Sequence, residues 1–197
     1  FTHICFFDIP MLSHIPNLVY LAPTTVEEMI AMEKWAIGQD KYSVALRVPE
    51  GEVSHSTEEY DTDYSELNRY KVVRRGKGVA LIGLGNFLAK AERVADMLKE
   101  SGLDATVINP RYISGVDEEL LESLKADHSL VVTLEDGCVD GGFGERISRF
   151  YGSSDMKTMN FGVAKALYDR YDVRQLLLDN RLTDGQIVED ILGVMGR

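Results

Sequence analysis

The sequence has few of the features that would place it outside the cell or in a membrane. Its two cysteines, Cys5 and Cys138, lie far apart and match no metal-binding or redox spacing, which indicates two unpaired thiols rather than a disulfide framework. No stretch approaches the roughly 18 consecutive apolar residues of a transmembrane helix. The sequence also lacks a basic segment followed by an apolar core, which is the pattern of a signal peptide. These absences predict a cytoplasmic protein that does not interact with membranes.

Positive charge is also scarce. Lys and Arg together number 21 against 32 Asp and Glu, so the net charge is −11, which argues against nucleic-acid binding because such binding relies on basic surface. The four histidines, His3, His14, His55 and His128, form no i,i+4 pair and have no carboxylate at ligand spacing, so we expect no metal site. We expect His55 and His128 to lie at the surface.

The first 50 residues alternate between apolar runs and a helical segment. Leu18–Ala22 and Ser43–Val48 are typical of buried strands, and residues 26–37 are typical of a helix. Thr25 and Glu28 form a capping-box pattern, in which the hydroxyl accepts a first-turn N–H and the carboxylate reaches back to the N–H of Thr25. A strand, a helix and a strand within about 30 residues predict a parallel crossover unit.

The remainder of the chain has a linker and a second region of alternating elements. Residues 51–70 are acidic and have few aliphatic side chains, which indicates a linker held in place by Tyr60, Tyr64 and Leu67. Thr183 and Gln186 form a second capping-box pattern. The predicted strands are residues 79–82, 106–108, 130–134 and 157–161, and the predicted helices are residues 87–100, 117–125, 144–150, 173–179 and 186–195. This alternation predicts an α/β domain with a mainly parallel sheet covered on both faces.

Two glycine turns follow predicted strands. In Gly83-Leu84-Gly85 the third glycine of a dinucleotide-binding turn is absent, so tight backbone geometry explains the turn better than a nucleotide site. In Gly141-Gly142-Phe143-Gly144 we expect a positive φ and close backbone packing. The adjacent Glu135 and Asp136 before this turn should point to opposite faces of their strand, and so should not form an acid/base pair.

Three motifs resemble the transketolase superfamily of thiamine-diphosphate enzymes, and most of all the 1-deoxy-D-xylulose-5-phosphate synthases. The first motif is Thr-His-x-Gly-x-Phe-Asp at the start of the sequence, with Cys5 in place of the family glycine. The second is a strand that ends in Ala22-Pro23, and the third is Glu135-Asp136 followed by the glycine turn of residues 141–144. The resemblance implies the C-terminal part of a pyrimidine-binding domain over 1–50, a linker over 51–70 and a transketolase-type C-terminal domain over 71–197. The chain would then be about the last third of a larger enzyme.

The resemblance also implies roles for individual residues. The family histidine at the position of His3 faces the thiamine and the substrate, where it can donate to an oxyanion or transfer a proton. Phe6 and Phe7 lie where aromatic residues of the superfamily pack near the cofactor ring, although a role in the core is equally consistent. The family arginine that holds the substrate phosphate is replaced by Glu50, whereas Arg47 matches a family arginine without that role.

As the resemblance implies, the complete enzyme would condense pyruvate with glyceraldehyde 3-phosphate. Its thiamine diphosphate and magnesium would be held mainly by N-terminal domains that precede this sequence, and it would act as a homodimer on small-molecule substrates. Two alternatives stay open: a transketolase-like or 2-oxoacid dehydrogenase β-type protein with another acceptor, and a non-catalytic dimerisation module. Glu50 favours a changed acceptor, and Cys5 together with Glu50 favours the module.

Overall fold

The computed structural model describes residues 6–48, 54–57, 59–168 and 171–196, in which strands and helices alternate along the chain. The strands are β1 (Leu18–Leu21), β2 (Ser43–Leu46), β3 (Lys71–Arg74), β4 (Gly78–Gly83), β5 (Thr106–Asn109), β6 (His128–Cys138) and β7 (Lys157–Val163). The helices are α1 (Asp8–Leu12), α2 (Val26–Gly38), α3 (Phe87–Glu100), α4 (Glu118–Leu124), α5 (Phe143–Tyr151), α6 (Val173–Asp179) and α7 (Asp184–Met195). Among these described helices, none is long and apolar enough to cross a membrane.

The described strands form two sheets. β1 and β2 pair in parallel and are connected through α2, which confirms the predicted crossover unit. The larger sheet has the order β3-β5-β4-β6-β7, and all its pairs are parallel except the one between β3 and β5. The predicted mainly parallel α/β domain is therefore confirmed. The antiparallel edge strand β3 and the short helix α1 were not predicted.

The larger sheet is covered on both faces, as its strand pattern predicts. Along β4, Val79 and Leu81 contact α3 and the C-terminal helices, whereas Ala80 and Ile82 join the core beneath α4 and α5. Alternate residues of one strand thus serve two separate cores. Because both cores are apolar, the central strands are fixed in place and their ends are held in a constant relative position.

Helix α2 is capped, but not by the predicted box. Thr25 accepts the N–H of Glu28 through its hydroxyl, as expected. The Glu28 carboxylate does not reach back to Thr25; it accepts from the N–H and the hydroxyl of Thr24, at 2.8 and 2.7 Å, and from the amide of Asn109 at 3.1 Å. A tertiary partner on β5 has therefore replaced half of the local motif, and it ties the small sheet to the large one.

The second capping box is also only half formed. The Thr183 hydroxyl accepts the N–H of Gln186 at 3.4 Å, but the Gln186 Oε1 accepts from the Thr183 hydroxyl at 2.7 Å instead of from the Thr183 N–H. The Gln186 Nε2 donates to the carbonyl of Leu178 at 3.2 Å. The side chain thus links the start of α7 to the end of α6.

The two sheets are joined directly by backbone hydrogen bonds as well. The N–H of Ala22 donates to the carbonyl of Arg111, and the N–H of Ile113 donates to the carbonyl of Tyr20, at 2.8 and 2.7 Å. In the predicted linker, Tyr64 is buried against Trp35 and Tyr112. The domain boundaries themselves stay a prediction, because the contacts between the two regions are extensive.

Candidate functional site

The strand ends that carry the family motifs meet at one place, the carboxyl edge of the parallel strands. Arg47 follows β2, and Asp136 lies near the end of β6. Asp8, the first residue of α1, forms an ion pair with Arg47, which also pairs with Asp136. In α/β sheets this edge is where ligands bind, because the strand ends leave a crevice there. The candidate site is centred on Arg47, which contacts both acidic residues.

Arg47 lies between two carboxylates. Its Nε donates to Oδ2 of Asp8 at 2.7 Å, and its Nη1 donates to Oδ1 of Asp136. The hydroxyl of Tyr20, on β1, also donates to Oδ2 of Asp8 at 2.7 Å. The side chain of Arg47 is only 10% exposed. Burial opposes the charge of the guanidinium, but Asp136 and Asp8 outweigh this effect and raise its pKa further.

Glu135, the neighbour of Asp136, points in a different direction and is fully buried. Its two carboxylate oxygens accept the backbone N–H groups of Phe143 and Gly144, at 3.0 and 2.8 Å. Glu135 therefore caps α5 from outside the helix, where the local residue, Gly142, has no side chain to do so. The expectation that the two adjacent carboxylates would not act as a pair agrees with these separate contacts.

The glycine turn fits around this carboxylate. Gly141 has a φ of +71°, as predicted for the turn. A Cβ on Gly142 would lie 2.4 Å from the carbonyl oxygen of Cys138 and within 2.8 Å of both Glu135 oxygens. A Cβ on Gly144 would lie 2.4 Å from the hydroxyl oxygen of Thr133. Close packing therefore requires glycine at both positions.

The turn after β4 is also explained by backbone geometry. Gly85 has a φ of +55°, and a Cβ on Gly83 would lie 2.6 Å from the carbonyl oxygen of Phe87. These constraints account for both glycines without a nucleotide.

Burial raises the pKa of Glu135 to about 7 from its ordinary value of 4.5, although the N–H groups of Gly144 and Phe143 and the charge of Arg47 oppose the shift. The folded protein thus binds this proton more tightly than the unfolded chain, so Glu135 should make stability fall as pH rises from 4.5 to 7. The difference in pKa corresponds to about 3 kcal/mol. We expect Glu135→Gln, which cannot ionise, to lose this part of the pH dependence.

Urea unfolding of the wild type and of Glu135→Gln at several pH values from 4.5 to 8 measures this effect. The free energy of unfolding of the wild type should fall relative to that of the variant as the pH rises. Any fixed effect of the amide group appears as a constant offset. Glu145→Gln, on the exposed face of the same helix, controls for the change in net charge. Parallel curves for the wild type and Glu135→Gln would contradict the prediction.

The residues that the resemblance singled out are only partly brought to this edge. His3, Cys5 and Glu50 lie outside the described residues. The ring of Phe6 packs against Tyr168 and Tyr171, with ring centroids at 5.2 and 5.5 Å. Phe7 is 37% exposed at the start of α1. Contact of either ring with the cofactor stays a prediction. Of the two side chains, Phe7 is the more exposed.

Sequence reasoning missed the roles of Arg47, Asp8, Tyr20 and Asp136. Asp8 was part of the Phe-Asp pattern, which is the one local signal that could have drawn attention to it. The ion pairs connect residues 39 and 89 positions apart, so no spacing rule could reveal them.

A cavity of about 870 Å³ opens at the opposite, amino edge of the large sheet, beside Gly76, Asp104 and His128. His128 was expected at the surface, but this was wrong, since its side chain is only 4% exposed. Its ring nitrogens lie 2.7 Å from the carboxylate of Asp127 and 2.8 Å from the hydroxyl of Thr106. These contacts fix the amino ends of β5 and β6, far along the strands from Arg47.

Comparison with known proteins defines the class of this chain. Residues 68–183 match the family described as Transketolase, C-terminal domain, and the chain belongs to that family. The 1-deoxy-D-xylulose-5-phosphate synthase of Crocosphaera subtropica is 34% identical over 193 residues, which cover 96% of this chain and 30% of that protein. The synthase of Synechocystis sp. is 31% identical over 194 residues, with similar coverage. The chain thus spans about a third of the length of these relatives.

Solved structures share the fold. A split-gene transketolase, solved as an inactive tetramer of four beta subunits, superimposes with a TM-score of 0.79 at 25% identity. The match covers 95% of this chain and 60% of the transketolase chain. A transketolase mutant from Pichia stipitis superimposes with a TM-score of 0.73 at 13% identity, over 98% of this chain and 27% of its own. Both sheets of the present chain are included at this coverage, so the arrangement of the two regions is shared as well.

Proposed function

We propose that this chain is the C-terminal portion of a thiamine-diphosphate-dependent transferase that condenses pyruvate with glyceraldehyde 3-phosphate. The observation that carries the proposal is that 96% of the chain aligns with a 1-deoxy-D-xylulose-5-phosphate synthase, at 34% identity. The product would serve isoprenoid precursor synthesis. The complete protein would be a cytoplasmic homodimer that includes the N-terminal domains of its relatives.

The cofactor would be held mainly by other parts of the complete protein. Among the residues that the structure describes, no group of three or more His, Cys, Asp or Glu is placed to hold a metal ion. As the family resemblance implies, the proposal assigns magnesium and the diphosphate to the N-terminal domains. Thiamine diphosphate supplies the electron sink for the reaction when it is bound. This chain would contribute one wall of the site, with Phe7 against the cofactor and His3 near the reacting atoms.

His3 is the residue proposed to handle a proton. An imidazole titrates near neutral pH, so it can donate a hydrogen bond to a carbonyl oxygen as that oxygen gains negative charge. Phe6 accepts a hydrogen bond from the N–H of Cys138 through its carbonyl, at 2.7 Å. The backbone of Phe6, three residues after His3 in the sequence, is thus held against the end of β6.

An assay of the complete protein tests the proposal. Purified protein with thiamine diphosphate, magnesium and pyruvate should consume glyceraldehyde 3-phosphate and release carbon dioxide. Parallel reactions with unphosphorylated glyceraldehyde and with other aldehydes define the acceptor. Turnover with another aldehyde alone would favour the transketolase-like alternative, for which Glu50 is the specific observation. Absence of turnover with every acceptor would favour the non-catalytic module.

Glu50→Arg should improve use of a phosphorylated acceptor, because it places a guanidinium where the relatives have one. A hydrogen bond to a charged group contributes about 1.5–3 kcal/mol, which corresponds to a gain of roughly 10- to 150-fold in kcat/KM. Steady-state kinetics with glyceraldehyde 3-phosphate measures the gain, and unphosphorylated glyceraldehyde is the control that should show none. If the wild type already uses the phosphorylated acceptor well and the variant is no better, another residue holds the phosphate.

A further inference from the structure

Arg47 connects the three segments that lead to the proposed site. Asp8 follows His3 by five residues, Arg47 itself precedes Glu50 by three, and Asp136 lies at the end of β6 before the glycine turn. The guanidinium bonds to both acidic residues at once, across 39 and 89 positions of sequence. No other described arginine joins the same three segments.

The backbone of Arg47 is fixed independently of its side chain. Its N–H donates to the carbonyl of Leu21 at 2.8 Å, which extends the pairing of β1 and β2 by one residue. The side chain therefore leaves from a rigid position in the small sheet. Its ion pairs transmit that position to α1 on one side and to the large sheet on the other.

The positive charge of Arg47 offsets the charges of the carboxylates around it. Asp8 and Asp136 are its direct partners, and the buried Glu135 lies close enough for Arg47 to lower its pKa. Without the guanidinium, these carboxylates would repel one another in a poorly solvated place. Lys would keep the charge, but its single ammonium group cannot reproduce the planar fork that bonds in two directions.

We propose that Arg47 is a positioning residue for the reaction, and this inference rests on the proposed function. It holds residues 6–8 and the end of β2 in register with β6, and these two segments adjoin His3 and Glu50 in the sequence. It does not contact substrate in this proposal. A misplacement of about 1 Å in such a site can lower turnover about 10²-fold, so a modest loosening is sufficient for a large effect.

The test uses the complete protein and the variant Arg47→Lys. We expect kcat for the condensation to fall about 10- to 100-fold, with KM values for pyruvate and the aldehyde changed much less than kcat. Asp136→Asn, which leaves the pairing with Asp8 intact, should show the same pattern more weakly. It also keeps the test available if Arg47→Lys does not fold.

Arg74→Lys is the control. Arg74, at the end of β3, pairs with Asp96 of α3 at 2.8 Å and lies beside Val107, toward the amino end of β5 and so away from the carboxyl edge. Arg74→Lys should leave kcat of the folded protein unchanged, whereas Arg47→Lys should lower it. If kcat is unchanged in Arg47→Lys, or falls equally in Arg74→Lys, the inference is overturned.

Hydrogen exchange of the same proteins separates this inference from the proposed function. Arg47→Lys should speed exchange in α1 and β2 and leave β7 unchanged. If the wild type has no condensation activity, the proposed function fails, but exchange confined to α1 and β2 would still support the role of Arg47 as the anchor of this edge. Uniformly faster exchange would overturn that role, whatever the activity of the wild type.

Discussion

Replacing His3 with alanine in the complete protein should lower turnover by about 10²- to 10⁴-fold, the range that positioned acid/base groups contribute. The expectation follows from the Thr-His motif and from the fixed segment that begins at Phe6, whose carbonyl is bonded to Cys138. If the imidazole transfers or shares a proton in the reaction, its loss should lower kcat and leave the melting temperature almost unchanged.

Steady-state kinetics and thermal unfolding of His3→Ala measure both quantities. His14→Ala is the matched control, because His14 is exposed just after α1 and contacts the carbonyl of Pro10 at 2.8 Å. The control should keep wild-type turnover. Wild-type turnover in His3→Ala itself would return His3 to a structural role.

Replacing Gly142 with alanine should destabilise the protein by about 3 kcal/mol or more, at the upper end of the cost of overpacking. The φ and ψ of Gly142, −73° and −175°, are accessible to alanine, so the cost comes from contacts rather than from backbone strain. The added Cβ would meet the backbone carbonyl of Cys138 at 2.4 Å, and it would also push away the Glu135 carboxylate that caps α5. A backbone atom held by the sheet cannot move aside cheaply.

Urea unfolding of the wild type, Gly142→Ala and the control variant Gly185→Ala measures this loss of stability. Gly185 lies in α7, where an added Cβ would meet nothing within 4 Å. That change should stabilise the protein by about 0.5–1 kcal/mol, since alanine is the better helix former and restricts the unfolded chain. A loss of less than about 1 kcal/mol in Gly142→Ala would mean that the turn can shift as a unit, and that its fit around Glu135 is loose.

Local patterns predicted most of the elements because they report local preferences. Helices α3 and α6 begin and end at the predicted residues, 87–100 and 173–179. Strand β6 runs past its predicted end at residue 134 to Cys138, since its continuation is set by pairing with β7 and not by its own hydrophobicity. Helix α1 has only five residues, too few to show a helical period. Strand β3 (Lys71–Arg74) begins and ends with a charged residue and is only partly buried, so it lacks the continuous apolar run that marks the central strands.

The candidate site was less predictable because its contacts are tertiary. The glycine turn after β6 was recognised, since glycine itself signals close packing. The reason for it, a buried carboxylate from the preceding strand acting as the cap of α5, needed the structure. Likewise, Glu28 fitted a local capping pattern, yet its actual partner on β5 lies 81 residues away. A carboxylate binds whichever donors the fold brings near, and sequence spacing does not determine those donors.

The direct bonding between the two sheets means that the peptide connecting them is not what keeps them together. Ser54 and Ser56 lie beside the start of α2, bonded to Val26 and Glu27, and His55 and Thr57 next to them are exposed. Proteolytic cleavage there would leave intact the buried pairing of Glu28 with Asn109 and the ion pairs of Arg47. A nicked molecule would therefore migrate as one particle in gel filtration and as two fragments in denaturing electrophoresis.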